Sequence, residues 1–136
     1  MCGPAVSFAL QAVLVVSGAQ SYDEAYEDTQ ISGKPLVVLI GADWCPGCVT
    51  MKSRVLPRMQ SGGYLRHVNF AHIDADRDEQ LAAQLMRGSG IPQLIVFSQG
   101  ADGKWHREYL VGATSEEAVA AAIERAVHRA SAPSRR

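Results

Sequence analysis

Two cysteines, Cys45 and Cys48, are separated by only two residues and are the side chains best suited to chemistry in this sequence. A Cys-x-x-Cys where a strand meets a helix is typical of reversible dithiol chemistry. The apolar run 36–40 predicts a buried strand before the pair, and residues 49–55 predict a helix after it. This places Cys45 at a helix N-terminus, where unpaired N–H groups and the helix dipole favour a thiolate. Pro46 suits the first helical position because it has no N–H.

Two other uses of the cysteine pair are open. A structural zinc site needs about four ligands, yet the sequence has no second cysteine pair and no ligand spacing among its four histidines. A purely structural disulfide is expected more often between distant segments than across one helical turn. Redox chemistry is therefore the preferred interpretation. It implies no cofactor, because the two sulfurs carry the electrons themselves.

Length and composition limit the class of protein. With 136 residues, of which 47% are hydrophobic, the chain is long enough for one globular domain with a sizeable core. The net charge is −1, and no basic cluster precedes the last two arginines. Nucleic-acid binding therefore has no electrostatic footprint here.

The first nineteen residues differ from the rest of the chain. They carry no charge, are mostly apolar from residue 5 to residue 16, and end in Ser17-Gly18-Ala19. This pattern predicts a secretory signal over residues 1–19 that is cleaved after Ala19, and hence a periplasmic or secreted protein. Because no Lys or Arg precedes the apolar stretch, a first buried element of the domain is the alternative, and the protein would then be cytoplasmic.

The folded domain is expected to span residues 20–130, in which helices and strands alternate. Helices are expected after the cap Ser21, after Cys45, over 59–65, over 78–86 and behind the capping box at 114–117. Strands are expected over 36–40, 68–73, 91–97 with Pro92 at its head, and 104–111. Strand–helix–strand units predict parallel pairing, and the turn at 100–103 predicts an antiparallel hairpin. The fold class is therefore α/β, with a mixed central sheet of about four strands and helices on both faces.

Two helix boundaries depend on particular residues. Pro57 is expected to end the helix that follows the cysteines, because proline lacks the N–H of the helical ladder. Thr114-Ser115-Glu116-Glu117 is expected to form a capping box for the last helix. Residues 131–136 are expected to be a flexible polar tail.

Three motifs occur in order: Trp44-Cys45-Pro46-Gly47-Cys48, Gly90-Ile91-Pro92 and Val111-Gly112-Ala113. Together they resemble the thioredoxin family, over about residues 21–128. Within it, the sequence is most similar to secreted or periplasmic domains that begin with a helix and a Gly-Lys-Pro lead-in. The resemblance implies a thioredoxin fold and a thiol-disulfide oxidoreductase, with a reductase preferred to an oxidase or isomerase.

The resemblance also implies roles for individual residues. Cys45 would be the exposed nucleophile, Cys48 the buried resolving thiol, and the Ile91–Pro92 peptide cis. Ile91 would offer its backbone to an extended substrate segment. The apolar rim of the substrate site would comprise Trp44, Ile91, Pro92, Gly112 and Ala113. For Trp44, a place in the core is the alternative.

The sequence departs from the family pattern at the cysteines. The family has a buried Asp where Leu39 stands, which helps to deprotonate the resolving thiol, and its lysine partner corresponds to Phe70. Water or a nearby group such as Asp43 would take over that role. Asp43, as a like charge, would also oppose a thiolate at Cys45. The dipeptide between the cysteines is Pro-Gly rather than Gly-Pro, so a strongly reducing potential does not follow from the resemblance.

The expected partners are proteins with disulfides or dithiols, and an electron donor or acceptor that the sequence does not name and that could be membrane-bound. A monomer is expected, without nucleic acid or metal. A binding module that holds a partner in the groove between Trp44 and Pro92 without turnover is the alternative from another functional class.

Overall fold

A mixed β-sheet forms the centre of the computed structural model, which describes residues 19–131. Its strands are β1 (Ala19–Gln20), β2 (Leu36–Gly41), β3 (Asn69–Asp74), β4 (Gln93–Gln99) and β5 (Trp105–Val111). They lie in the order β1-β3-β2-β4-β5. Strand β3 is parallel to β1 and β2, whereas β4 is antiparallel to both β2 and β5. The predicted mixed sheet is confirmed, with the short edge strand β1 added to it.

Helices cover both faces of this sheet. They are α1 (Tyr22–Ser32), α2 (Pro46–Thr50), a π-helical segment (Met51–Val55), α3 (Leu56–Ser61), a 3-10 helix (Tyr64–His67), α4 (Glu79–Leu85) and α5 (Glu116–Ser131). Successive side chains of a strand point to opposite faces. In β2, Val37 and Leu39 pack with the helices after the cysteines and with α5, while Leu36, Val38 and Ile40 pack on the side of α1 and α4. Burial on both faces explains why this strand is an uninterrupted apolar run.

The first helix has the boundaries that its end residues predict. The Ser21 hydroxyl accepts the Glu24 N–H at 3.3 Å and thereby caps the N-terminus. At the other end, Gly33 adopts a φ of +76° and donates its N–H to the Thr29 carbonyl at 3.0 Å. Glycine is favoured there because a left-handed backbone carries a steric cost for residues with a Cβ.

The prediction that Pro57 ends the helix after the cysteines is wrong. Residues 46–61 are helical without a break, and Pro57 lies in the first turn of α3. A proline inside a regular α-helix would clash with the carbonyl four residues earlier. The chain avoids this through the wider π-helical turn just before it, in which the Leu56 N–H bonds to the Met51 carbonyl five residues back. The separate helix expected over 59–65 is replaced by the end of α3 and the 3-10 helix.

The last helix begins one residue later than the capping-box prediction requires. The Ser115 hydroxyl accepts the Ala118 N–H at 3.2 Å, so the cap is Ser115 rather than Thr114. The Thr114 N–H instead lies 3.5 Å from Met51 Sδ, a contact between distant parts of the chain that the local pattern could not indicate. The helix continues through Ser131, the residue at which the tail was expected to start.

The predicted signal segment lies almost wholly outside the described residues, as does the rest of the tail, 132–136. Within residues 19–131, the helices are too short or too polar to cross a membrane. Gln20, which would begin the mature chain, pairs with Ala71 of β3.

The strand directions bring four loops together at one end of the strands. Gly41 at the end of β2 lies opposite Asp74 at the end of β3. Because β4 runs antiparallel to β2, its first residue, Gln93, pairs with Ile40 near that same end. Gln93 also pairs with Val111, the last residue of β5. The cysteine motif, the turn after β3, the Ile91–Pro92 segment and the Gly112–Ala113 segment therefore converge.

Candidate functional site

The two cysteines lie at the start of α2, where the sequence places them. Cys45 is the N-cap residue, with an extended backbone (φ −89°, ψ 114°), and Pro46 is the first helical residue. The Cys48 N–H donates to the Cys45 sulfur at 3.2 Å, and the Val49 N–H donates to the Cys45 carbonyl at 3.0 Å. The Cys45 sulfur therefore replaces the side-chain oxygen of an ordinary helix cap, and one N–H donor faces it directly.

The expected contrast between an exposed Cys45 and a buried Cys48 is not seen. Cys45 is 6% exposed and Cys48 is 5% exposed, and both are free thiols. The Cys45 sulfur lies under the segment that carries Ile91, at 3.9 Å from the Ile91 carbonyl oxygen. The loop that would bind a substrate therefore also shields the sulfur that would attack it.

Cys48 lies in apolar surroundings that disfavour its charged form. Burial, followed by its hydrogen bond with the Cys45 thiol, raises the pKa of Cys48 to about 11. A Cβ placed on Gly41 would lie only 2.9 Å from Cys48 Cβ and Sγ, so the thiol packs directly on strand β2. Leu39 is buried in the apolar cluster on this face and Phe70 packs against that cluster. The apolar substitutions noted in the sequence are therefore part of a hydrophobic layer.

The Ile91–Pro92 peptide is cis, as the family resemblance implies. Gly112 has a φ of +88° and donates its N–H to the Pro92 carbonyl at 2.8 Å. A Cβ on Gly47 would lie 3.2 Å from Pro92 Cδ and 3.5 Å from Ala113 Cβ. The structure thus brings three of the predicted rim residues, Pro92, Gly112 and Ala113, together against the first turn of the cysteine helix.

Trp44 is 69% exposed, so its alternative place in the core is wrong. Its indole N–H donates to Asp76 Oδ2 at 2.8 Å, which ties the ring to the turn after β3. That turn is itself held by Asp74, whose Oδ1 accepts the N–H groups of Asp76 and Arg77 at 2.9 and 3.3 Å. These hydrogen bonds lower the pKa of Asp74. Sequence reasoning missed Asp76 as the partner of Trp44.

Two further apolar residues beside the site are exposed, which the sequence did not indicate. Val111 is 59% exposed and Val49 is 47% exposed. Val49 immediately follows Cys48, and Val111 immediately precedes Gly112. In β5, Tyr109 and Leu110 are half-buried and Trp105 is exposed, and hydropathy alone does not distinguish these environments. The position of Val49 and Val111 beside the motifs was the available signal.

Comparison with protein families identifies the family to which the chain belongs. Residues 18–98 match a family model described as thioredoxin-like. The chain belongs to the thioredoxin-like family. The matched region extends from β1 almost to the end of β4 and includes both cysteines and the cis proline.

Solved structures agree with this fold, which confirms the predicted fold class. A thioredoxin from Thermus thermophilus is 23% identical, covers 77% of this chain and 82% of its own, and superposes with a TM-score of 0.64. Trxlp from Edwardsiella tarda EIB202 is 27% identical, with coverages of 77% and 95% and a TM-score of 0.60. The thioredoxin from Fasciola hepatica is 25% identical, with coverages of 76% and 91% and a TM-score of 0.59. No curated protein sequence matches the chain.

The raised pKa of Cys48 predicts a pH-dependent stability of the reduced protein. The folded protein holds the Cys48 proton more tightly than the unfolded chain, whose thiol has the ordinary pKa near 9. The resulting stabilisation is complete below pH 9 and is lost as the pH rises through about 11, and it amounts to about 2–3 kcal/mol. Urea unfolding at pH 8 and pH 11, with a phosphine reductant present, measures this loss.

Cys48→Ala is the matched control, because it removes the titrating thiol and leaves every other ionisable group in place. Its free energy of unfolding is expected to fall less between the two pH values than that of the parent protein. Equal losses in the two proteins would show that Cys48 has no raised pKa.

Proposed function

We propose that this protein is a thiol-disulfide oxidoreductase that acts on protein substrates, as a reductase, through Cys45 and Cys48. The observation that carries the proposal is the N–H of Cys48 directed at the Cys45 sulfur at 3.2 Å, at a helix N-terminus and beside the cis-proline segment. Such a donor stabilises negative charge that develops on the sulfur. Membership of the thioredoxin-like family supports the same chemistry.

The proposed reaction transfers two electrons in two exchange steps. The Cys45 thiolate attacks one sulfur of a substrate disulfide; that S–S bond breaks, and the other substrate sulfur leaves as a thiolate that takes up a proton. Cys48 then loses its proton and attacks the Cys45 sulfur in the mixed disulfide. The Cys45–Cys48 disulfide forms, the substrate leaves as a dithiol, and a separate dithiol donor must reduce the protein again.

The substrate segment is proposed to dock as an added strand beside Ile91. The Ile91 carbonyl lies 3.9 Å from the Cys45 sulfur, so a chain paired with this residue would bring its own disulfide close to the attacking atom. Trp44, Val49 and Val111 are exposed apolar side chains on the elements around this segment. Gly112 and Ala113 complete the rim next to Pro92.

The reducing direction is supported by the surroundings of Cys48. A dithiol becomes a strong oxidant when its reduced state is specifically stabilised, as by an ionised thiol. Cys48 provides no such stabilisation, because burial raises its pKa to about 11 and its thiol stays protonated at neutral pH. This favours a reductase over a disulfide oxidase or isomerase.

Single cysteine substitutions test the proposed steps. Cys45→Ser is expected to abolish reduction of insulin disulfides in the presence of a dithiol donor, because no sulfur remains to attack. Cys48→Ser is expected to stop after the first step and to accumulate a mixed disulfide between Cys45 and insulin, visible by non-reducing electrophoresis.

The apolar rim also suits a binding module without turnover. That alternative is supported if the parent protein reduces nothing and Cys45→Ser retains its affinity for the partner.

The direction of electron flow is tested by the reduction potential of the Cys45–Cys48 couple in glutathione buffers. A reductase is expected to have a value near about −270 mV, and an oxidase or isomerase a value of about −120 to −180 mV. The Cys48→Ser variant is the control for mixed disulfides with glutathione. A value in the higher range would overturn the reductase and leave the exchange chemistry intact.

We also propose that the protein works outside the cytoplasm, after cleavage between Ala19 and Gln20. Cleavage there would remove Ala19, which pairs with Phe70, and retain Gln20, which pairs with Ala71 at the sheet edge. Expression of the full chain in a bacterial host with a secretory pathway is expected to give an exported form whose mass starts at Gln20. Recovery of the intact chain from the cytoplasm would contradict the proposal, and deletion of residues 5–16 is the matched control for export.

A further inference from the structure

Gln93 carries a buried polar side chain next to the cis proline. The residue is fully buried, and its amide makes hydrogen bonds at both ends. Its Oε1 accepts the Arg87 N–H at 3.0 Å, and its Nε2 donates to the Arg87 carbonyl at 2.8 Å and to the Gly88 carbonyl at 3.5 Å. One side chain therefore holds the backbone near the start of the connection between α4 and β4.

The fastened segment is otherwise exposed. Residues 87–90 lie at the surface, and they include two glycines, of which Gly88 has a φ of +69°. Glycine-rich segments lose much conformational entropy when they are ordered. The Arg87 guanidinium lies 4.5 Å above the Tyr109 ring of β5, which adds a second attachment on the same residue. The segment is thus held at Arg87 through both its backbone and its side chain.

Ile91 lies between two points at which hydrogen bonds hold the backbone. On one side are the Gln93 contacts to Arg87 and Gly88, and on the other is the 2.8 Å hydrogen bond from the Gly112 N–H to the Pro92 carbonyl. The Gln93 backbone belongs to the sheet, where it pairs with Ile40 and Val111, so the anchor is rigid. The Ile91 carbonyl is thereby kept 3.9 Å from the Cys45 sulfur.

We propose that Gln93 is a positioning residue for protein substrates, and that it holds the Ile91 backbone in the form to which an extended substrate segment adds. This inference rests on the proposed thiol-disulfide exchange. A mobile segment would present the binding-competent backbone only part of the time, and the apparent affinity for a strand-forming substrate would fall by that fraction. A small disulfide that reaches Cys45 without pairing to the backbone does not depend on this fraction.

The test variant is Gln93→Met, which keeps the length of the side chain and removes its hydrogen bonds. With insulin as the substrate, KM is expected to rise about tenfold, the loss expected from two net hydrogen bonds, with kcat nearly unchanged. With 5,5′-dithiobis(2-nitrobenzoate), the second-order rate of the reduced protein is expected to stay within about twofold of the parent value. A merely structural role would instead lower both rates together.

Ser98→Ala is the matched control. Ser98 is another buried polar residue of β4, but it lies toward the opposite end of the strand, where its hydroxyl accepts a hydrogen bond from Arg129 at 3.0 Å. Loss of this contact is expected to leave both reactions unchanged. Hydrogen–deuterium exchange provides a second measurement, in which Gln93→Met should speed amide exchange in residues 86–91 and Ser98→Ala should not.

The outcomes separate this inference from the proposed function. If the parent protein reduces neither insulin nor the small disulfide, the exchange chemistry fails and the role of Gln93 fails with it. If the parent protein reduces both, and Gln93→Met slows both equally or neither, the positioning role alone is overturned. Unchanged amide exchange over residues 86–91 in Gln93→Met would also overturn it.

Discussion

The helix that carries the cysteines lies so close to strand β2 that a Cβ at position 41 would contact Cys48 at 2.9 Å. Only the absence of a side chain at Gly41 lets the second thiol sit on the sheet. This contact shields Cys48 from solvent, and burial raises its pKa to about 11. The same packing fixes the first helical turn, which orients the Cys48 N–H toward the Cys45 sulfur. Close packing and hydrogen-bond geometry at the site therefore have one origin.

Burial of Cys48 makes its deprotonation costly, and proximity offsets this cost. At pH 7, a thiol of pKa about 11 is ionised in about one molecule in ten thousand. A well-oriented intramolecular nucleophile has an effective molarity of about 10⁵ M or more. The second exchange step can thus be fast although the apolar Leu39 stands where the family has an acid. Leu39 and Met51 belong to the apolar cluster there, so neither side chain could take the Cys48 proton.

The sequence predicts well those features that depend on local chemistry and poorly those that depend on distant contacts. Strand β2, the cap at Ser21 and the position of Cys45 follow from apolar runs, a hydroxyl and a motif. Pro57 is different, because a π-helical turn before it removes the clash that would otherwise end the helix. That turn forms within the tertiary packing. Nothing in the sequence indicated the role of Gln93. Its hydrogen-bond partners are backbone atoms, which every residue has, and the fold decides which backbone segment lies beside it.

The strand order explains why polar side chains anchor the rim of the site. One end of the sheet is formed by the ends of β2, β3 and β5 and the start of β4. Beyond it, the sheet no longer supplies backbone hydrogen bonds. Side chains take over there: Asp76 holds Trp44, and Gln93 holds Arg87 and Gly88. Gly112, which has no side chain to interfere, holds Pro92 through its own N–H. The apolar surface that faces a substrate is therefore positioned by hydrogen bonds on its outer side. A change in an anchor can alter substrate binding while the two sulfurs stay as they are.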